Sequence, residues 1–138
     1  MEAVLDSNVL FRTLISHGNI IALIFDPKLK LFAPEKLKEE FAKNKEDVLS
    51  RSRLSESEFN ELAVLLFGEI AFVPLSKYEQ LFPKAKSLLG SHSKDEDFVA
   101  LCLLKDCKIW TYESLLFDIG LGISTKQVAK ELASESEE

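Results

Sequence analysis

Ala3-Val4-Leu5-Asp6-Ser7-Asn8-Val9-Leu10 decides how the chain is read. An apolar run of three residues stops at Asp6. Ser7-Asn8 then offers cap-forming side chains before a further apolar segment that reaches about Ile15. A short strand, a cap and a helix are the expected reading. The acid therefore falls where the strand ends, and in an open α/β sheet ligands collect beyond the carboxyl ends of strands.

The same alternation continues outward. Ile20–Phe25 reads as a second helical piece closed by Asp26-Pro27, and Leu29–Ala33 as a strand. Pro34 suits the first position of a helix to about Lys43, with another helix near Lys45–Arg53. Ser55-Glu56-Ser57-Glu58, Ser76-Lys77-Tyr78-Glu79 and Ser93-Lys94-Asp95-Glu96 have the capping-box pattern. They open helices over Phe59–Phe67, to about Leu89, and over Phe98–Leu104. Ile70–Val73 and Lys108–Thr111 are strand candidates. Ser114–Phe117 is a short helical turn, Ile123 a last strand, and Ser124 a cap for the final helix. Strands separated by helices imply parallel pairing with right-handed crossovers. The fold class is α/β, a three-layer α/β/α sandwich around a central parallel sheet.

Composition bounds the rest. A chain of 138 residues, 46% hydrophobic and 29% charged, is one domain of ordinary globular make-up. Residues 1–133 are expected to form it, and 134–138 an acidic disordered tail, because Glu131–Glu138 holds four acids and no base. With 17 basic and 23 acidic residues the net charge is −6, so there is no general basic coat for nucleic acid. Lys28–Arg53 runs against that trend with eight bases and five acids. A solvated helical face is its simpler reading, a landing strip for phosphates the second. Cys102 and Cys107 are the only thiols, which fits a reducing cytoplasm, and Cys102 lies in an apolar run as a small buried hydrophobe. Met1-Glu2-Ala3 shows no leader pattern, and Ile20–Phe25 and Leu62–Phe67 are too short to cross a membrane.

The carboxylates carry the functional reading. Asp6 closes the first strand, Asp95 lies at the start of a helix, and Glu113 sits two residues past Thr111. All three are expected at one rim of the sheet. Glu40 is a fourth candidate: Leu37 and Phe41 define an inward stripe, and at about 100° per residue Glu40 sits on its shoulder while Glu39 faces away. Four acids at one rim repel one another unless a cation is present. A hard divalent ion, Mg²⁺ or Mn²⁺, takes oxygen ligands and suits phosphodiester hydrolysis. It also gives an acidic protein local positive charge for a polyanion.

At this point the residues resemble a known family, the PIN domain ribonucleases. Ala3–Leu10 resembles the opening strand with its Asp-x-Asn. Ala33-Pro34-Glu35 followed by Glu39-Glu40-Phe41 resembles the second motif, and Asp95–Leu103 the third. Ile109-Trp110-Thr111-Tyr112-Glu113 resembles the fourth, a strand ending in Thr-x-Asp. The order and spacing extend over about residues 2–130. The resemblance implies Mg²⁺- or Mn²⁺-dependent cleavage of single-stranded RNA, with Asp6, Glu40, Asp95 and Glu113 as metal-binding and catalytic carboxylates. Thr111 would orient the site, and Asn8 would support it from behind. Asp97 is the alternative to Asp95 as the third acid; helical phase does not choose, since that helix is apolar nearly all round. Length and the lack of extra domains are similar to the VapC-like toxins of toxin–antitoxin pairs, which implies an antitoxin partner and a homodimer. Glu113 stands where the family has Asp. Its extra methylene still allows a reach through water, or it marks a catalytically weakened fold that acts by binding protein or RNA.

Other classes fit less well. A haloacid-dehalogenase-like phosphatase needs Asp-x-Asp at the first strand, where Asp6-Ser7-Asn8 lacks the second Asp. A receiver module needs an acceptor Asp after the third strand, and Val73-Pro74-Leu75 has none. There is no Gly-rich phosphate loop and no Gly-x-Ser-x-Gly. His17 and His92 read as loop residues, Trp110 as core. Tyr112, just past a strand end, is a candidate for stacking on a base.

Overall fold

Strand β1 (Glu2–Leu5) occupies the centre of a five-stranded sheet. The structure is a computed structural model and describes residues 1–137. After β1 come α1 (Ser7–Ser16), α2 (Ile20–Ile24), β2 (Lys30–Pro34), α3 (Lys36–Ser52), α4 (Glu56–Gly68) and β3 (Ile70–Val73). The second half holds α5 (Phe82–Leu89), α6 (Glu96–Lys105), β4 (Lys108–Trp110), α7 (Ser114–Asp118), β5 (Gly122–Ile123) and α8 (Thr125–Glu137). The strand order is β3-β2-β1-β4-β5, and every pairing is parallel. Val4 lies opposite Phe32 on one side of β1 and opposite Ile109 on the other.

Burial follows from that position. Ala3, Val4 and Leu5 have no exposed surface, as expected of a central parallel strand covered on both faces. Helices α1, α3 and α4 pack on one another, while α6 crosses β1, β2 and β4 with α5 alongside it. The three layers expected from the sequence are therefore present. Phe98 through Cys102 are all buried, so α6 is apolar nearly all round because it is covered nearly all round. A ring cluster of Phe41, Phe59, Phe67 and Phe72 ties α3 to α4 and β3.

Four local expectations are corrected. Helix α3 is one continuous helix of 17 residues, not two. No Gly or Pro interrupts it, and Asn44 bonds back to the Glu40 carbonyl at 2.8 Å instead of breaking the helix. Pro34 ends β2 opposite Val73 and does not open α3. Pairing toward β1 stops at Phe32, so the missing N–H costs no ladder bond on that side. The stretch after Ser76 forms two 3-10 turns, Leu75–Lys77 and Glu79–Leu81, before α5 begins. Pro83 is tolerated only in a first helical turn, which forces the late start. Ser93 makes no capping bond, because Ser93–Asp95 is itself a 3-10 turn.

The boxes at Ser55 and Ser124 do form. Ser55 Oγ accepts from Glu58 N while Glu58 Oε1 accepts from Ser55 N, both at 3.1 Å. Ser124 and Gln127 exchange the same pair of bonds. At the other end of α8 the helix continues to Glu137, over the stretch from Ser134 that sequence analysis expects to be frayed. The Met1 ammonium pairs with Glu135 at 3.2 Å and ties that last turn to the start of β1. Glu138 lies outside the described residues.

The two kinds of serine separate in a stability measurement. Ser55→Ala should cost about 1 kcal/mol in urea denaturation, whereas Ser93→Ala should stay within about 0.5 kcal/mol of the wild type. Equal losses would show that Ser93 also caps in solution.

Candidate metal centre

The sheet order reverses at β1, so the carboxyl ends of β1 and β4 bound a crevice. Asp6 follows β1 directly, and its N–H donates to the Trp110 carbonyl at 3.0 Å, which extends the β1–β4 pairing by one bond. Thr111, the residue after β4, donates its hydroxyl to Asp6 Oδ2 at 2.7 Å. Ser7 N donates to Asp6 Oδ1 at 2.8 Å. Each carboxylate oxygen thus has one donor, and Asp6 is only 3% exposed. The Thr111 hydroxyl also accepts from Glu113 N at 2.9 Å, and Asn8 Oδ1 accepts from Tyr112 N at 3.3 Å. Two bonds therefore fix the turn that carries Glu113.

Asp6, Glu40, Asp95 and Glu113 line one cavity of about 270 Å³, together with Asn8, Asn44 and Lys94. Glu40 is half-buried and Glu39 exposed, as the helical phase of Leu37 and Phe41 requires. Asp95 reaches the cavity from the 3-10 turn before α6 and is 6% exposed. Lys36 Nζ donates to the Lys94 carbonyl at 3.0 Å, which fastens that turn to the start of α3. Asp97 is elsewhere. It accepts from the buried Tyr78 hydroxyl at 2.8 Å, pairs with Lys36 at 3.7 Å and lines a different cavity. Thr111 is buried behind Asp6 and reaches the cavity only through it.

The charges are held at a cost. Burial pushes the Asp6 carboxyl up to about 6, and Asp95 and Glu113 add to the rise; the donors from Thr111 and Ser7 oppose it. Asp95 is also pushed up to about 6, first by burial and then by the charge on Glu113, with Lys94 opposing. Lys94 Nζ lies 3.3 Å from Glu113 Oε1, and this contact raises the lysine in turn. Asp95 Oδ2 is buried without any hydrogen-bond partner. An acceptor left in that state costs about 1–3 kcal/mol, more when charged, unless something binds it.

The donor set fits a hard cation. All four acids offer oxygen, the chemistry Mg²⁺ and Mn²⁺ prefer, and the orphaned Asp95 oxygen is an unused ligand atom. Among the described residues, however, no group of three or more Asp, Glu, His or Cys side chains stands as a ready-made ion cage. Some of the acceptors are already engaged: Glu113 pairs with Lys94, and one Asp6 oxygen accepts from Thr111.

Fold and cavity together define an α/β/α protein with an acidic rim site at the switch point of a parallel sheet. The family model of the PIN domain matches residues 4–133, and the chain belongs to that family, whose members are generally nucleases. No curated protein and no solved structure matches the chain. Among the described residues, no helix is long and apolar enough to cross a membrane.

Sequence reasoning did not nominate Lys94 or Asn44. Asn44 was detectable, one helical turn beyond Glu40. Lys94 adjoins Asp95 in sequence, but a basic residue beside an acid carries no signal until the fold brings Glu113 to it.

Both aspartates bind protons more tightly when folded, so they favour the folded state most at low pH. That contribution is complete below about pH 4, the ordinary carboxylate value, and is lost as pH rises through about 6. Asp95→Asn should therefore be more stable than the wild type in EDTA at pH 7.5, by about 1–3 kcal/mol. The gap should close toward pH 4. Urea denaturation across that range reads it, and a gap that is flat with pH would contradict the burial argument.

Proposed function

We propose that the chain is a Mg²⁺- or Mn²⁺-dependent endoribonuclease that hydrolyses phosphodiesters of single-stranded RNA. The observation that carries this reading is the shared cavity: Asp6, Glu40, Asp95 and Glu113 arrive from four separate segments, and one buried oxygen of Asp95 lacks any partner. Asp6 and Asp95 would hold the cation, with Glu40 and Glu113 completing the oxygen set, directly or through water. When bound, the cation would supply positive charge for the phosphate and acidify a water. Thr111 would keep one Asp6 oxygen turned away from the cavity, leaving its carboxylate in a single orientation. Asn8 would hold the turn bearing Glu113, and Asp97 would only brace the start of α6 through Tyr78 and Lys36. The further reading, that this is the toxin of a toxin–antitoxin pair, acting in the cytoplasm as a homodimer and restrained by an antitoxin protein, rests on the PIN family and the short chain alone.

A second reading has one observation in its favour. Glu113 stands in the fourth acid position and is engaged by Lys94, which suits a weakened catalyst acting through protein or RNA contacts. The two readings part on metal binding and on turnover.

Mn²⁺ should raise the melting temperature of the wild type, because it binds the folded acid cluster only. Asp6→Asn should remove most of that gain. Cleavage of a labelled single-stranded RNA should require the metal, stop in EDTA and fall at least 100-fold in Asp95→Asn, the order expected on losing a charge-stabilising group. A metal-induced rise in melting temperature with no turnover would favour the second reading. No rise at all would remove the metal centre.

A further inference from the structure

A second cavity, of about 300 Å³, adjoins the acid cavity and shares Asn8 and Phe11 with it. Its other walls are Arg12, Ile15, Arg51 and Tyr112. The sign of the charge changes between the two: carboxylates line the first, and the only charged walls of the second are guanidiniums. Tyr112 and Glu113 are consecutive, so the aromatic ring is one residue from the acid wall.

Tyr112 is held from both ends. Its backbone N–H donates to Asn8 Oδ1, and its hydroxyl lies 3.2 Å from Thr125 Oγ1, at the start of α8. Yet the residue is 42% exposed, uncommon for a ring fixed this well. The Arg12 guanidinium lies 5.3 Å from the ring centroid and has no ion-pair partner among the described residues. Arg51 has only Asp47, at 3.8 Å with both side chains well exposed, a contact that competes weakly with a phosphate. A fixed exposed ring with one guanidinium over it and a second, weakly paired, in the same cavity is the chemistry of a stacking platform with flanking phosphate contacts.

We propose that this groove binds single-stranded RNA at the nucleotide next to the bond that is cut, with an unpaired base on Tyr112 and neighbouring phosphates on Arg12 and Arg51. The inference rests on the nuclease reading for the identity of the strand. A duplex buries its base faces in the stack, so the ring would have nothing to accept. The order of chemistry along the strand is then fixed. The phosphate at the acid cavity is cut, and the groove decides which strand can place one there.

Fluorescence anisotropy with a labelled ten-nucleotide oligouridylate, in EDTA and again in Ca²⁺, tests the groove apart from cleavage. Tyr112→Ala should weaken binding about tenfold, while Tyr112→Phe retains it, since the ring and not the hydroxyl stacks. Arg12→Ala and Arg51→Ala should each lower the slope of log Kd against log salt by about 0.7. Lys130→Ala, on α8 in a separate cavity lined by Lys108 and Gly122, should change nothing. A blunt RNA duplex of the same length should bind more weakly than the single strand. The groove is overturned if the wild type binds in neither buffer, if the Tyr112 and arginine variants match it, or if the duplex binds as tightly. Binding by an acidic protein partner instead of RNA would give the second of these results. Should Tyr112→Ala fail to fold, the two arginine slopes decide. The nuclease reading fails separately: Mn²⁺ then leaves the RNA uncut and the melting temperature unmoved, while the EDTA binding pattern stands.

Discussion

One hydrogen bond, from the Thr111 hydroxyl to Asp6 Oδ2, joins the two halves of the protein where they matter. The residues are 105 positions apart and meet because β1 and β4 are neighbours in a sheet whose order reverses at β1. The bond is buried, so its loss would leave an Asp6 carboxylate oxygen without its donor. It also sets the acid in one orientation, and through the second bond to Glu113 N it positions the next acid along the chain. Sheet register, side-chain rotamer and the placement of Glu113 are therefore one constraint.

That arrangement works against stability. Four carboxylates share a cavity, two of them buried, and burial first, then the neighbouring carboxylates, raises both aspartates. Well-packed apolar side chains in place of the two buried aspartates would be better for folding alone. Sites that hold like charges together are where function opposes stability. Lys94 relieves part of the repulsion from outside, as an exposed ammonium that can move away at little cost. It leaves the deepest oxygen, on Asp95, unmatched. The protein thus tolerates an incomplete charge balance at the point where a cation would complete it.

What could be read from the sequence was what depended on neighbours along the chain. Asp6 at a strand end, Glu40 on the shoulder of a helical stripe, and the strand–helix alternation all follow from local periodicity, and the sheet is built accordingly. The choice between Asp95 and Asp97 was not local. Helix α6 is covered nearly all round, so its apolar pattern has no phase from which to tell one face from another. The difference arises in the 3-10 turn, which sends Asp95 into the acid cavity and leaves Asp97 to Tyr78 and Lys36. Both partners of Asp97 come from elsewhere in the chain. The same reason hid Lys94, whose role exists only once β4 brings Glu113 beside it. Pro83 is a local signal against a helix opened at Ser76, because a capping box there cannot start an α-helix whose second turn would contain a proline.

On the proposed reading, the distribution of charge would let a net −6 protein select a polyanion without attracting every polyanion. A uniformly basic surface binds nucleic acid of any shape, with affinity set mostly by phosphate count. Here the net charge is negative, and two cavities of opposite sign adjoin: two guanidiniums and a ring on one side of Asn8 and Phe11, carboxylates on the other. On the proposed path a strand would gain where a phosphate meets an arginine, a base meets Tyr112 and the next phosphate meets a cation held by the acids. Each of these contacts alone would be weak against the repulsion, so binding would require them together. That requirement would favour a flexible strand, which can turn a base outward while its backbone follows the groove, over a duplex whose phosphates are fixed in number and spacing. Specificity would then arise from the order of charges along about two nucleotides, not from the size of the basic surface.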